Sequence, residues 1–209
     1  RHTRYWRDWS SDVCSSDLEQ CDILSLNETW LRPHELNLIQ SAINDRPSLS
    51  KQKIHIFTKS SMCDIEPDYT GRPFGGVALI IKAIKGFACF ELESQSDEVV
   101  TAALSDKSGN IVHIFSSVYM PFFSTGSCET YVNNLNILQA IIDQYASSST
   151  ITILGDFNAQ LPCSSKLSKG WYNKRGFNVN SRLLYDFLQN NNMVSADLLY
   201  DQEVNYTYF

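Results

Sequence analysis

The sequence contains no apolar run long enough to cross a membrane. Its longest run, VALIIKAI from Val77 to Ile84, is interrupted by Lys82, whereas a spanning helix needs about 18 or more apolar residues in succession. A basic arm is also missing, because the 209 residues carry a net charge of −6. These absences predict no membrane association and restrict any contact with nucleic acid to a local basic surface.

The first eighteen residues, RHTRYWRDWSSDVCSSDL, have no apolar periodicity and no hydrophobic segment of the signal-peptide kind. The stretch from Asp8 to Leu18 is what a widely used short-read sequencing adapter encodes when it is translated. We therefore interpret residues 1–18 as a non-native, disordered segment, with a natural disordered tail as the alternative. Residues 19–209 are expected to form part of one domain with a sizeable core, since 43% of the chain is hydrophobic.

Paired cysteines are absent as well. The sequence has six cysteines, and without Cys14 of the first segment five remain, scattered and with no CxxC spacing: Cys21, Cys63, Cys89, Cys128 and Cys163. An odd, scattered set supports neither a disulfide framework nor a zinc site, and it favours a reducing, intracellular setting.

The remaining chain alternates between strand-like and helix-like segments. Two helices are predicted, at Thr130–Ala146 and at Ser181–Asn191, the second capped by Asn180 or Ser181. DKSGN, from Asp106 to Asn110, has the composition of a hairpin turn. Six runs, most of them rich in β-branched residues, predict strands: Cys21–Thr29, Lys53–Phe57, Gly75–Lys82, Glu98–Leu104, Asn110–Met120 and Ile151–Leu154. This mixture predicts an α/β sandwich in which helices cover packed sheets.

The stretch ITILGDFNAQLP, from Ile151 to Pro162, places polar residues directly after a buried strand. If strand geometry persists beyond Gly155, Asp156 and Asn158 share one face, because side chains two positions apart point the same way. The alternative is an ordinary turn, since Gly, Asp and Asn are common after strands.

Two further strands also end in polar residues that a core would not need. CDILSLNETW leads to Glu28, and HIFSSVYMP leads to Tyr119. Carboxylates bind hard cations such as Mg²⁺, and such a cation polarises a phosphate and stabilises the leaving oxygen. A second carboxylate can activate water, while amide and phenol donors stabilise phosphate charge. The three strand ends therefore predict metal-assisted phosphodiester chemistry.

The ordered motifs ETWL, GGVALII, VYMP, GDFNAQL and NYTYF resemble the endonuclease/exonuclease/phosphatase family. They are most similar to the apurinic-type endonuclease domain of non-LTR (LINE-type) retrotransposons. The resemblance covers nearly all of residues 19–209 and implies a four-layered α/β sandwich, in which helices flank two packed, mostly antiparallel or mixed sheets. It also implies a Mg²⁺ cofactor, with Mn²⁺ as a substitute, and hydrolysis of a DNA phosphodiester bond. In retrotransposons that nick primes reverse transcription of the element's RNA.

The resemblance assigns roles by position. It implies that Glu28 binds the metal, that Tyr119 contacts the scissile phosphate, that Asp156 positions the attacking water and that Asn158 hydrogen-bonds the phosphate. Thr207, in NYTYF, stands where the family has a supporting threonine. In KLSKGWYNKRGF, basic and aromatic residues could contact DNA phosphates and bases, with an ordinary solvated loop as the alternative: Lys169, Trp171, Lys174 and Arg175.

The sequence also departs from the family pattern at both ends. The family opens with a strand that carries a metal-site asparagine and closes with an Asp-His pair, and neither is present between Glu19 and Phe209. The resemblance therefore implies a domain truncated at both ends and inactive as written. It further implies an intracellular, nuclear site of action and a reverse transcriptase domain downstream. The alternatives are a cellular DNA-repair nuclease, a phosphatase of the same family, or a decayed, non-catalytic copy.

Overall fold

Seven strands and three α-helices are present in the part of the chain that this computed structural model describes, residues 18–63, 70–71, 73–124, 128–161 and 178–196. The strands are β1 (Ile23–Asn27), β2 (Ile54–Lys59), β3 (Val77–Lys82), β4 (Ala88–Leu92), β5 (Val99–Ser105), β6 (Ile111–Tyr119) and β7 (Thr150–Asp156). The helices are α1 (Asn37–Asn44), α2 (Cys128–Tyr145) and α3 (Val179–Asn190), and a 3-10 turn spans Pro33–Glu35. These described residues fall into two compact units, which divide after residues 119, 136 and 156: the first takes those up to 119 and from 137 to 156, and the second takes those from 120 to 136 and after 156.

The first unit contains a three-stranded antiparallel sheet in the order β1-β3-β2. Its central strand, β3, reads VALIIK, and every residue of it except Lys82 is buried. One face of the sheet packs against helix α1 through a cluster that contains Ala78, Ile80, Ile39 and Ile43. A strand that is buried on both faces needs this continuous apolar sequence, because neither set of alternating side chains reaches water.

The second sheet of the first unit has four strands in the order β4-β5-β6-β7. The β4–β5 and β5–β6 pairs are antiparallel, and the β6–β7 pair is parallel. Asp106 closes the β5–β6 turn, since its Oδ1 accepts hydrogen bonds from the backbone N–H groups of Ser108 at 2.8 Å and Asn110 at 2.9 Å. Parallel strands need a long crossover connection, which here contains α2.

The core of the first unit lies where the two sheets meet. Side chains of β3 pack against alternate residues of β5 and against one residue of β6, in a cluster of Val77, Leu79, Ile81, Val100, Ala102, Leu104 and Phe115. Each large apolar side chain buried in this way contributes about 1.5–3 kcal/mol relative to an exposed one. Two packed sheets with helices confirm the predicted α/β sandwich.

The second unit contains the first half of α2, and α3. Helix α3 begins after Asn178, whose side chain accepts a hydrogen bond from the Ser181 backbone N–H at 2.8 Å. The predicted caps, Asn180 and Ser181, were therefore wrong: both are buried in the first turn of the helix. Asn178 is a better cap because it keeps an extended backbone at φ −78° and ψ 175°, which allows its side chain to reach the free N–H groups of that turn.

Two other observations correct the sequence-based expectations. Leu18, which we assigned to the non-native segment, is fully buried in the cluster against α1; an apolar side chain next to Glu19 lies close enough to the domain to join its core. Residues 1–17 lie outside the described residues.

Strand β4 was not predicted at all, since three of its five residues are exposed and none is β-branched. None of the described helices is both long and apolar enough to cross a membrane.

Candidate active site

The loop that follows β1 presents Glu28 in an unusual backbone conformation. Glu28 and Trp30 have positive φ angles of 53° and 52°, which cost non-glycine residues on the order of 1–3 kcal/mol and occur most often at functional sites. Two backbone hydrogen bonds hold this loop against the start of β3. The Thr29 N–H donates to the Gly76 carbonyl at 3.2 Å, and the Trp30 N–H donates to the Gly75 carbonyl at 2.9 Å.

The close approach of this loop requires glycine at position 76. Gly76 has a φ of +87°, and a Cβ at that position would overlap the Thr29 hydroxyl. A side chain there would both strain the backbone and displace the loop that carries Glu28. The GGVALII motif thus contributes to the site through its backbone.

Glu28 is joined to Tyr119, the last residue of β6, by a direct hydrogen bond. The Tyr119 hydroxyl donates to Glu28 Oε1 at 2.8 Å. A residue of the four-stranded sheet therefore contacts the loop after β1, which is a strand of the three-stranded sheet. The ring of Tyr119 packs against the core between the sheets, and its backbone N–H donates to the Glu98 carbonyl at 2.9 Å. Both contacts restrict the position of the phenol.

Asp156 ends β7 and is paired with Tyr119 in the parallel β6–β7 register. Neighbouring strands lie about 4.8 Å apart, so the backbone of Asp156 is adjacent to that of Tyr119. The structure therefore brings three of the four main predicted site residues, Glu28, Tyr119 and Asp156, to one end of the first unit.

Asn158 does not continue the strand as the alternation argument required. β7 ends at Asp156, and Asn158 has a φ of +44°, so the expected sharing of a strand face by Asp156 and Asn158 was wrong. Asn158 belongs to the second unit. There its side-chain N–H donates to the Met120 backbone carbonyl at 2.8 Å. The backbone carbonyl of Asn158 accepts from the Asn180 side chain at 3.4 Å. These two hydrogen bonds restrain the side chain and the backbone of Asn158.

The remaining candidates cannot be placed. Five predicted residues lie outside the described residues: Lys169, Trp171, Lys174, Arg175 and Thr207.

Lys59 is a residue near this end of the sheet that the sequence analysis missed. It ends β2 and pairs with Val77, which pairs on its other side with Asn27. Its ammonium group donates to the Ser94 carbonyl at 2.7 Å, the Ser94 hydroxyl at 2.8 Å and the Ser96 carbonyl at 2.8 Å. Burial lowers the pKa of Lys59, and neighbouring carboxylates oppose that shift. These bonds anchor the loop that leads to Glu98, and no local sequence pattern marks such a lysine.

Comparison with solved structures gives several proteins of similar fold. The AP endonuclease LMAP of Leishmania major superposes with a TM-score of 0.57 at 15% identity, over 89% of this chain and 62% of that one. The endonuclease domain of TRAS1, a telomere-specific non-LTR retrotransposon, gives 0.49 at 9% identity, over 88% and 67%. An endonuclease/exonuclease/phosphatase family protein of Bacteroides thetaiotaomicron gives 0.43 at 14%, over 74% and 55%.

The chain therefore shares its fold with the AP endonuclease LMAP, for which the TM-score exceeds 0.5. The chain spans between 55% and 67% of the length of the three proteins. No protein-family profile and no curated protein sequence matches it.

Two carboxylate residues, Glu28 and Asp156, lie at this end of the first unit. Within the described ranges, no group of three or more His, Cys, Asp and Glu side chains could enclose a metal ion. Mg²⁺ commonly takes only one or two carboxylates, completes its shell with water and substrate phosphate, and prefers oxygen ligands. The carboxylate of Glu28, with the strand-end acid Asp156, offers this kind of donor set.

Proposed function

We propose that the chain is part of a divalent-metal-dependent phosphodiesterase, a DNA endonuclease that nicks target DNA for reverse transcription of a retrotransposon. The observation that carries the proposal is the hydrogen bond between Tyr119 and Glu28, at the strand end where Asp156 is paired with Tyr119. A phenol and two carboxylates at one place have no role in a hydrophobic core, and they suit the hydrolysis of a phosphodiester. The motif resemblance of ETWL, VYMP and GDFNA supports the endonuclease and retrotransposon parts of the proposal.

In the proposed site each side chain has one task. Glu28 would hold Mg²⁺ or Mn²⁺, which when bound supplies Lewis-acid stabilisation of the phosphate. The Tyr119 hydroxyl has one proton, which it donates to Glu28 in the present structure; with a cation on the Glu28 carboxylate, that proton would be available to a phosphate oxygen. Asp156 would orient the attacking water and accept its proton. For Asn158, the motif resemblance alone supports a hydrogen bond to the phosphate.

The wider biological role belongs to the same proposal. We infer that the complete protein works on DNA in the nucleus and carries a reverse transcriptase domain downstream. A uniformly acidic protein repels the DNA backbone. Because the net charge is −6, the positive groups that bind phosphate would have to be concentrated on local surfaces.

The test is a nicking assay on supercoiled plasmid DNA with Mg²⁺, performed on the complete product of the source gene. We expect conversion to open circles that EDTA prevents and that Asp156→Ala reduces by at least about 10³-fold, since catalytic groups that act as a unit fail together. DNA binding should remain, because it depends mainly on phosphate contacts elsewhere. Asp143→Ala removes an exposed acid of α2 and is the matched control. Nicking by Asp156→Ala at the wild-type rate would refute the assignment.

The substrate assay also separates the alternatives. Cleavage confined to an oligonucleotide with an abasic site would identify a repair-type endonuclease, and release of phosphate from monoesters without nicking would identify a phosphatase. Absence of all three activities in a complete, folded protein would indicate a non-catalytic copy.

A further inference from the structure

Asn27, the last residue of β1, contacts the candidate site through its side chain, although no motif assigns it a role. Oriented by the donors and acceptors around it, the carboxamide donates to the Val118 carbonyl at 2.8 Å and accepts from the Asp156 backbone N–H at 3.2 Å. One side chain of the three-stranded sheet therefore joins the ends of β6 and β7 in the four-stranded sheet.

The backbone at this point departs from regular strand geometry. Gly155 has a φ of +141°, and a Cβ at that position would overlap the Val118 carbonyl. The parallel β6–β7 ladder pairs Val118 with Gly155 and Tyr119 with Asp156. To this ladder the Asn27 carboxamide adds a donor for the Val118 carbonyl and an acceptor for the Asp156 N–H, and such added contacts restrain backbone groups that are shielded from water.

Only asparagine provides both partners at this distance. Aspartate could accept from Asp156 but could not donate to Val118, leucine could do neither, and glutamine is longer by one methylene group. Asn27 also directly precedes Glu28, so one short segment holds the backbone of one candidate acid and carries the other.

We propose that Asn27 is a positioning residue, which fixes the backbone of Asp156 against Val118 and thereby sets the direction of the Asp156 carboxylate. The contribution to catalysis rests on the proposed function, whereas the restraint on the Asp156 backbone does not. The two parts are therefore tested by separate measurements.

The first measurement is amide hydrogen exchange at Asp156, followed by NMR on the 209-residue chain. In Asn27→Leu the Asp156 N–H loses the acceptor that Asn27 provides, and we expect its exchange to become at least about tenfold faster. Asn27→Asp retains the acceptor for the Asp156 N–H and loses only the donor to the Val118 carbonyl. We therefore expect it to keep the slow exchange of the Asp156 N–H. It is the variant to measure if Asn27→Leu fails to fold. Unchanged exchange at Asp156 in folded Asn27→Leu would overturn the proposal.

Ser25→Ala is the matched control. Ser25 lies two residues earlier on the same strand, and its hydroxyl is hydrogen-bonded to that of Ser117 across the two sheets at 2.7 Å. The variant thus removes a polar contact between the sheets without removing a partner of Asp156, so exchange at Asp156 should stay as in the wild type. Equal acceleration in Ser25→Ala and Asn27→Leu would show general loosening and would also overturn the proposal.

The second measurement is the nicking rate of the complete protein. Asn27→Leu should lower kcat by about 10- to 100-fold with KM changed less than about twofold, because a displacement of about 1 Å in a catalytic group costs rate more than binding. Ser25→Ala should retain the wild-type kcat. An unchanged kcat in Asn27→Leu, beside an active wild type and an inactive Asp156→Ala, would refute the positioning role alone. An inactive wild type would refute the proposed function, and hydrogen exchange would still decide whether Asn27 restrains Asp156.

Discussion

The hydroxyl of Tyr119 links the end of β6 to the loop after β1 through its hydrogen bond to Glu28. Its ring is restrained by the core between the sheets and its N–H by the Glu98 carbonyl, so the hydrogen bond to Glu28 also restrains the loop after β1. That loop has a positive φ at Glu28, and its conformation must be stabilised by contacts of this kind.

Tyr119→Phe should therefore affect both stability and activity. We expect the free energy of unfolding to fall by about 0.5–1.5 kcal/mol, as for other hydrogen bonds, and nicking to fall by about 10²–10³-fold, as for other groups that stabilise transition-state charge. Urea denaturation and the plasmid assay measure the two effects. Tyr185→Phe, on the exposed side of α3, is the control, and an equal loss in both variants would argue against a special role for Tyr119.

His113 gives a prediction about pH at the same scale. Its ring stacks on Phe115 at 4.0 Å between centroids, its Nε2 lies 2.9 Å from the Thr152 hydroxyl, and burial lowers its pKa below the ordinary value of 6.5. Burial, with the charge of Lys53, also lowers the pKa of His55.

Because His113 binds its proton more readily in the unfolded chain than in the folded one, acidification favours unfolding. The neutral His113 ring therefore contributes its full stabilisation of the fold above about pH 6.5, and this contribution is lost as the pH falls below that value. We expect His113→Gln to show a smaller loss of unfolding free energy between pH 7.5 and pH 5.5 than the wild type. His34→Gln, in the exposed 3-10 turn, controls for the removal of an imidazole. A larger loss in His113→Gln would contradict the predicted direction.

At the scale of elements, the loop after β1 can approach the start of β3 because Gly76 has no side chain. Gly76→Ala should lower the free energy of unfolding by about 1–3 kcal/mol through strain at positive φ, with an added cost from contact with Thr29. Gly86→Ala is a matched control, since Gly86 also has a positive φ, +93°, but a Cβ there would meet nothing within 4 Å. Equal destabilisation of the two variants would show that the contact with Thr29 contributes nothing.

The sequence predicted those elements whose residues carry a strong local signal. VALIIK is continuously apolar because β3 is buried on both faces, and DKSGN closes a turn through the side chain of Asp106. β4 gave no such signal, because an edge strand with exposed alternate positions needs no apolar run. The strand order β1-β3-β2 could not be predicted either, since it depends on pairing between residues far apart in the sequence.

The candidate site was proposed only where the sequence carries a motif. Glu28, Tyr119 and Asp156 were proposed because each stands in a short pattern with polar residues at a strand end, and the structure brings these three to one end of the first unit. Asn27 was not, because an asparagine at the end of a strand has the same composition whether it faces water or another backbone. The sequence pointed to Asn158 as a candidate residue but not to its backbone conformation, because its positive φ arises only in the folded turn.

At the scale of the whole molecule, the 209 residues carry a net charge of −6. An acidic protein that acts on DNA gains little from long-range attraction and must depend on contacts at short range. The charge therefore agrees with a site whose specificity lies in a few placed groups.

The order of strands in the three-stranded sheet has a consequence for the newly made chain. β3 is the last of its three strands to be synthesised, yet within the described strands it is the one that pairs with both of the others. While translation proceeds from the N terminus, Ile23–Asn27 and Ile54–Lys59 leave the ribosome before their hydrogen-bonding partner has emerged. The sheet therefore forms only after Val77–Lys82 has emerged, and until then the nascent chain must keep two unpaired strands apart from other chains.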